Sequence, residues 1–238
     1  MKKVWLYALS LLATCVFPSL ALASSIVVSV GNTAPTDPFN SNAPLVSGNT
    51  YGSAVISSNF VAPFFTSFCG SEGGATPSNC DQSWTFNFVV PVGETITAAS
   101  LTVGLWDIDS SQAGNQFSLY QVNGGDNLTS SLNTAAEALN GGTGSINAQY
   151  DVFTFSLANF AALAGGSATV HITFTGPGGG ILGPLPNNAG AILFSTLNLT
   201  TQGSTPPPTV AEPASLLLLG TGLILGARTR FGRIFGRR

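Results

Sequence analysis

Apolar residues recur along this chain largely at every second position, in short runs interrupted by clusters of Gly, Asn, Ser and Pro. Trp84, Phe86, Phe88 and Val90 would share one face of an extended strand, as would Leu101, Val103 and Leu105, and later Val170, Ile172 and Phe174. A period of two is the mark of a strand with one buried face. β-branched and aromatic residues dominate the runs, and the spacing predicts strands at Ser25–Val30, Ala54–Val61, Trp84–Val90, Ile96–Asp107, Gln116–Val122, Val152–Leu157, Thr169–Thr175 and Ala191–Thr200. So many short strands make the fold class all-β, a β-sandwich or jelly-roll ectodomain with short helical turns. Helical patterning is confined to Leu128–Leu139 and Leu157–Ala164, the second with Ser156 as its expected cap.

Both ends depart from this pattern. Residues 1–23 begin with Met1-Lys2-Lys3, continue as an apolar stretch to about Leu20, and finish with Ala21-Leu22-Ala23, a small-x-small site. This is the form of a secretory signal peptide, cut by signal peptidase after Ala23. The ectodomain is expected over 24–199, followed by a Thr/Pro-rich linker at 200–209 that favours extended backbone. Residues 210–238 then read Val210-Ala211-Glu212-Pro213, an apolar run from Ala214 to Ala227, and the arginines Arg228, Arg230, Arg233, Arg237 and Arg238. As a transmembrane helix the run would span about 21 Å against a hydrocarbon core of roughly 30 Å, a marginal permanent anchor. The arginines act as a membrane stop, holding the tail in the cytoplasm and the ectodomain outside.

That order of motif, apolar helix and basic end resembles the PEP-CTERM sorting signal of bacteria. Glu212, Pro213, the leucine run and the arginines match the family pattern, with Ala211 where the family usually has Pro. The resemblance covers Val210 to Arg238. It implies recognition and removal of the tail by exosortase, a membrane protease or transpeptidase, with an inner-membrane intermediate and delivery to the cell surface or extracellular matrix.

Charge sharpens the picture of the region between the ends. Only 7% of residues are charged, and no Lys or Arg occurs from Ser24 to Ala227, whereas all 10 Asp and Glu lie there. A body of this sign cannot neutralise phosphates, so nucleic acid is excluded as a partner, and a Walker A loop has no Lys to use. Of the three cysteines, Cys15 leaves with the signal peptide. Cys69 and Cys80 remain, and an even pair in an oxidising compartment is expected to form a disulfide across the turn-rich segment between them.

Catalytic residues are not assigned. His171, the one histidine, alternates with the inward Val170 and Ile172 and should face solvent without a second His to join it. Gly178–Gly183 has the form GxGxxG but lies between Pro177 and Pro184 and starts no helix, so it reads as a loop. Asp107 and Asp109 follow the face of Leu101, Val103 and Leu105 to the end of the strand, where hard oxygen ligands would suit Ca²⁺, the one candidate cofactor. Solvated strand-end or turn carboxylates are the plainer reading of the same pair, and the acid and base of a glycosidase a further alternative. Trp84, Trp106, Tyr120 and Tyr150 are either core residues or platforms for sugars. The leading expectation is a non-enzymatic structural or interaction protein of the surface or matrix. The alternatives are a carbohydrate-binding or adhesive module, Ca-assisted and directed at exopolysaccharide, and an extracellular hydrolase.

Overall fold

Antiparallel strands make up most of the structure, as the period-two pattern predicts. The computed structural model describes residues 23–64, 81–108, 117–139, 148–174 and 190–203, which belong to the unit Leu22–Gly203. In chain order the elements are β1 (Ala23–Gly31), β2 (Thr36–Asp37), β3 (Ala43–Pro44), β4 (Asn49–Thr50), α1 (Ser53–Ser57), β5 (Asp81–Asn87), β6 (Glu94–Trp106) and β7 (Phe117–Val122). They continue with β8 (Asp126–Asn127), α2 (Thr129–Leu139), β9 (Gln149–Leu157), α3 (Phe160–Leu163), β10 (Ser167–Phe174) and β11 (Ala191–Gly203).

The strands form a five-stranded sheet in the order β1-β11-β6-β9-β4, a four-stranded sheet in the order β5-β10-β7-β8, and a two-stranded ribbon of β2 and β3. One hydrophobic cluster unites the two larger sheets. Leu101, Val103 and Leu105 of β6, Phe153 of β9 and Leu197 of β11 meet Trp84 and Phe86 of β5, Tyr120 of β7, and Val170 and Ile172 of β10. The alternation read from sequence therefore selected the inward faces correctly. Two polar atoms are trapped inside, Trp84 Nε1 and Tyr120 Oη, neither with a hydrogen-bond partner among the described residues. Burial pushes the Tyr120 hydroxyl far above its ordinary range.

The larger sheet is covered on its other face at one end. Trp106 pairs with Tyr150 on β9 and with Ala191 on β11, and these three pack with Leu193, Phe194 and Ile56 of α1 in a second cluster. A register shift between Ile192 and Phe194 inserts Leu193 as an extra residue opposite β6, the signature of a β-bulge. Phe194 then lies over Gly104, where a Cβ would come within 2.3 Å of its ring.

Two local expectations are corrected. Ala54–Val61 is not a strand, because α1 occupies Ser53–Ser57. The run Val55-Ile56 is too short to impose a period, and Asn59 binds the helical turn: its Nδ2 donates to Val55 O at 2.7 Å and to Thr36 O at 2.7 Å. Asn59 Oδ1 accepts from the Thr36 N–H at 2.8 Å and from Asn32 Nδ2 at 2.9 Å, so one buried amide fastens α1 to the preceding loop. Ser156 is not a helix cap but part of β9. The cap of α3 is Asn159, whose Oδ1 accepts from the Ala162 N–H at 3.3 Å.

Cys69, Cys80, Asp109, the Gly178–Gly183 loop, Val210, Ala211, Glu212, Pro213 and the five arginines lie outside the described residues. So do residues 1–22 of the expected signal peptide and the apolar run 214–227, whereas its last residue, Ala23, begins β1. Among the described residues no helix is long and apolar enough to cross a membrane.

The packing of Phe194 on Gly104 generates a stability prediction. Gly104→Ala should lower the unfolding free energy by about 1–3 kcal/mol through overpacking, and Phe194→Ala by about 3–5 kcal/mol through the cavity it leaves. Denaturant melts read both. An unchanged midpoint for Gly104→Ala would show that the ring is free to move aside.

Candidate functional site

Asp107 directly follows β6, and its placement differs from the expected one. Its φ is 58°, a left-handed conformation that Asp tolerates better than most residues. Its N–H donates to Gln149 O at 2.9 Å, and its Oδ1 accepts from the Ala148 N–H at 2.5 Å. The side chain is 1% exposed. The carboxylate thus closes the turn into β9 from inside, rather than emerging at a solvated edge. Asp107 stays on the inward side of the Leu101–Leu105 row, held by the Ala148 N–H instead of leaving the core at the strand end.

Asp107 has a second buried carboxylate nearby in the pairing scheme. Asp151 on β9 is the cross-strand partner of Leu105 and is also buried. Gln149 Nε2 donates to Asp151 Oδ1 at 2.9 Å. Burial raises the Asp151 carboxyl above its ordinary value, and the donors Gln149 and Gly48 N–H only partly offset this. Asp107, Gln149 and Asp151 therefore form a polar end to the apolar core. Among the described residues no group of three or more His, Cys, Asp or Glu side chains could hold a metal ion.

A second constellation lies on the other sheet. His171 faces away from the core, as expected, and is opposite Ser83 on β5. Its Nε2 hydrogen-bonds Asp81 Oδ1, and Thr173 Oγ1 donates to the same oxygen at 3.0 Å. The hydrogen bond from His171 holds the Asp81 carboxyl below its ordinary value. Ser, His and Asp thus meet by residue type. Their bonding is not that of a nucleophile and its base, because Ser83 Oγ donates to Val170 O at 3.0 Å. Sequence reading missed the pair because Asp81 and His171 are brought together only by the β5–β10 register.

The third feature is a groove of about 520 Å³ beside α2, lined by Phe117, Asn127, Thr129, Ser130, Asn133, Thr134 and Glu137. Asn133 builds its wall by a backbone-like contact. Its Oδ1 accepts from Phe117 N–H at 2.9 Å and its Nδ2 donates to Phe117 O at 2.9 Å. Thr129 Oγ1 accepts from Tyr120 N–H at 2.8 Å. The lining offers amides, hydroxyls and one carboxylate, in a stretch of chain without Lys or Arg. Such a surface suits a neutral, hydroxyl-rich ligand better than an anion.

Trp84, Trp106, Tyr120 and Tyr150 are all buried, which places them in the cores and not at a sugar-stacking surface. Trp106 Nε1 donates to Ala148 O at 2.8 Å. The chain matches no described protein family and no curated protein.

The buried Asp151 sets a pH dependence. A carboxyl raised in the folded state adds stability that is fully present below its unfolded value and is lost as pH rises through the folded one. The unfolding free energy of the wild type minus that of Asp151→Asn should therefore increase from about pH 7 to about pH 4. Denaturant melts across this range measure it. A constant difference would mean that the Asp151 carboxyl is no harder to ionise folded than unfolded.

Proposed function

We propose that this is an exported surface or extracellular-matrix protein, a non-enzymatic β-sandwich ectodomain delivered by its C-terminal sorting signal. The observation that carries this reading is the order in residues 210–238: Glu212-Pro213, an apolar run, then five arginines. Signal peptidase would remove residues 1–23, and exosortase would act at the membrane near Glu212-Pro213. The confinement of Lys and Arg to the two ends supports the reading, because each basic cluster then has a topological task and the body between has none for it.

The groove beside α2 favours a second reading, a carbohydrate-binding or adhesive module for exopolysaccharide. Its amides and hydroxyls match the donors and acceptors of a neutral glycan. In this reading Ca²⁺ would assist through the carboxylates of Asp107 and Asp109. On a glycan array, the processed protein should retain neutral polysaccharides over uronate-rich ones. Equal retention of both, or of neither, counts against this second reading.

Processing at both ends leaves a mature chain without Lys or Arg. Intact mass measurement on the host's surface or medium fraction should find a species lacking residues 1–23 and the arginine tail, and trypsin should not shorten it. Replacing Glu212 and Pro213 by Ala should trap the precursor in the inner membrane. Release of that variant at the wild-type level would overturn sorting through this motif.

A further inference from the structure

The edges of the two sheets are treated differently. The edge beyond β7 is closed: β8 pairs with Gln121 and Val122, and Asn133 and Thr129 take main-chain groups of Phe117 and Tyr120. At the other side of that sheet, β5 carries the charged Asp81. β4 is only two residues long. Short length, covering and charge are the usual devices against edge-to-edge pairing.

β1 carries no charge or proline, and among the described residues no strand pairs with its outer edge. It is a nine-residue terminal strand of the five-stranded sheet, Ala-Ser-Ser-Ile-Val-Val-Ser-Val-Gly. It pairs with β11 in unbroken register from Ala23 opposite Gln202 to Gly31 opposite Phe194. Asn32 N–H continues this ladder, donating to Leu193 O at 2.8 Å. Antiparallel alternation then assigns the N–H and C=O of Ser24, Ile26, Val28 and Val30 to β11, and turns those of Ala23, Ser25, Val27, Ser29 and Gly31 outward. Ile26, Val28 and Val30 pack against the core. Val27 is 59% exposed on the opposite face.

The order of residues identifies the partner. About Val27 the strand is close to a chemical palindrome: Ile26 is matched by Val28, Ser25 by Ser29, and Ala23 by Gly31, with Ser24 and Val30 as the one unlike pair. We infer that β1 is a homodimer interface, in which β1 of a second copy adds antiparallel about a two-fold axis at Val27. In this register each outward-turned residue meets another: Val27 faces Val27, Ser25 faces Ser29, and Ala23 faces Gly31 across the axis. Roughly six main-chain hydrogen bonds would form through Ser25, Val27 and Ser29. Ser meets Ser and Val meets Val on the outer face, while Ile26 and Val28 extend the core row from one copy into the next. An isologous contact needs such a self-complementary patch, and the lack of charge removes like-charge repulsion at the axis. Removal of residues 1–23 would take Ala23 from the strand and leave the Ser25, Val27 and Ser29 pairings in place.

Sedimentation velocity on the full-length chain in neutral detergent tests it. The wild type should sediment as a dimer at tens of micromolar. Val27→Lys places two ammonium groups together at the axis, and Val27→Pro removes an outward N–H that β11 does not use. Both should halve the sedimenting mass while keeping the β signal in circular dichroism. Under mild oxidation Val27→Cys should cross-link to itself through residue 27, identified by chymotryptic mapping, whereas Ser25→Cys, which faces Ser29, should not. This Cys pair decides the register even if Val27→Lys fails to fold. A wild type that stays monomeric, a dimer that survives both Val27→Lys and Val27→Pro, or self-linking at residue 25 instead of 27 would each overturn the proposal. So would a monomer whose outward β1 amides are protected from hydrogen exchange, since another segment of the chain would then occupy the edge.

Discussion

The pairing of β6 with β11 supports everything else in the structure. Each strand has 13 residues, and their ladder runs from Glu94 opposite Gly203 to Trp106 opposite Ala191. β1 takes its register from β11 and β9 takes its register from β6. At one end the pair presents an inward face alone to the main core. At the other, the extra Leu193 and the approach of Phe194 to Gly104 bring apolar residues to both faces. The second cluster exists because the bulge aims these residues outward, where α1 can cover them.

A second constraint is the lack of basic side chains between Ser24 and Ala227. Carboxylates here have to find other donors. Asp107 takes the Ala148 N–H, Asp126 takes the N–H groups of Ala158 and Asn159, and Asp37 takes that of Phe39. Glu94 accepts from the hydroxyls of Ser24 and Thr201, and Asp151 accepts from Gln149. The main-chain donors among these tie the carboxylates to the backbone path. Carboxylates in this fold therefore act as staples for turns and strand ends. Asp107 illustrates this, since its turn needs both the left-handed backbone and the side-chain acceptor.

Alternation made the core legible from sequence, because a half-buried strand writes its face directly into every second residue. Trp84, Phe86, Leu101, Val103, Leu105, Val170 and Ile172 were all placed inward by that rule and are buried. It failed where the cause lay outside the segment. Val55-Ile56 looked like strand, yet a buried amide four residues from Val55 ties the turn into a helix. The two-residue strands β2, β3, β4 and β8 are too short for any period to show. Asp107 seemed to stand at an edge, but the Ala148 N–H that it accepts from is distant in sequence and leaves no local signal. The Asp81–His171 pair and the groove beside α2 depend on strand register and on Asn133 reaching Phe117, for which local sequence holds no signal. The order of Glu212-Pro213, apolar run and arginines is the reverse case: a linear pattern read without any fold.

The use of neutral donors for the carboxylates has a consequence for salinity. A surface stabilised by Lys–Asp and Arg–Glu pairs loses attraction as the Debye length shortens, from about 10 Å at 0.1 M to about 3 Å at 1 M. Here screening finds little attraction to weaken beyond the His171–Asp81 contact, and hydrogen bonds to backbone N–H groups are short-ranged and barely screened. What it does reach is the mutual repulsion of carboxylates in a stretch without a compensating base. Brine therefore acts on this body in one direction, easing repulsion while leaving its turn staples intact.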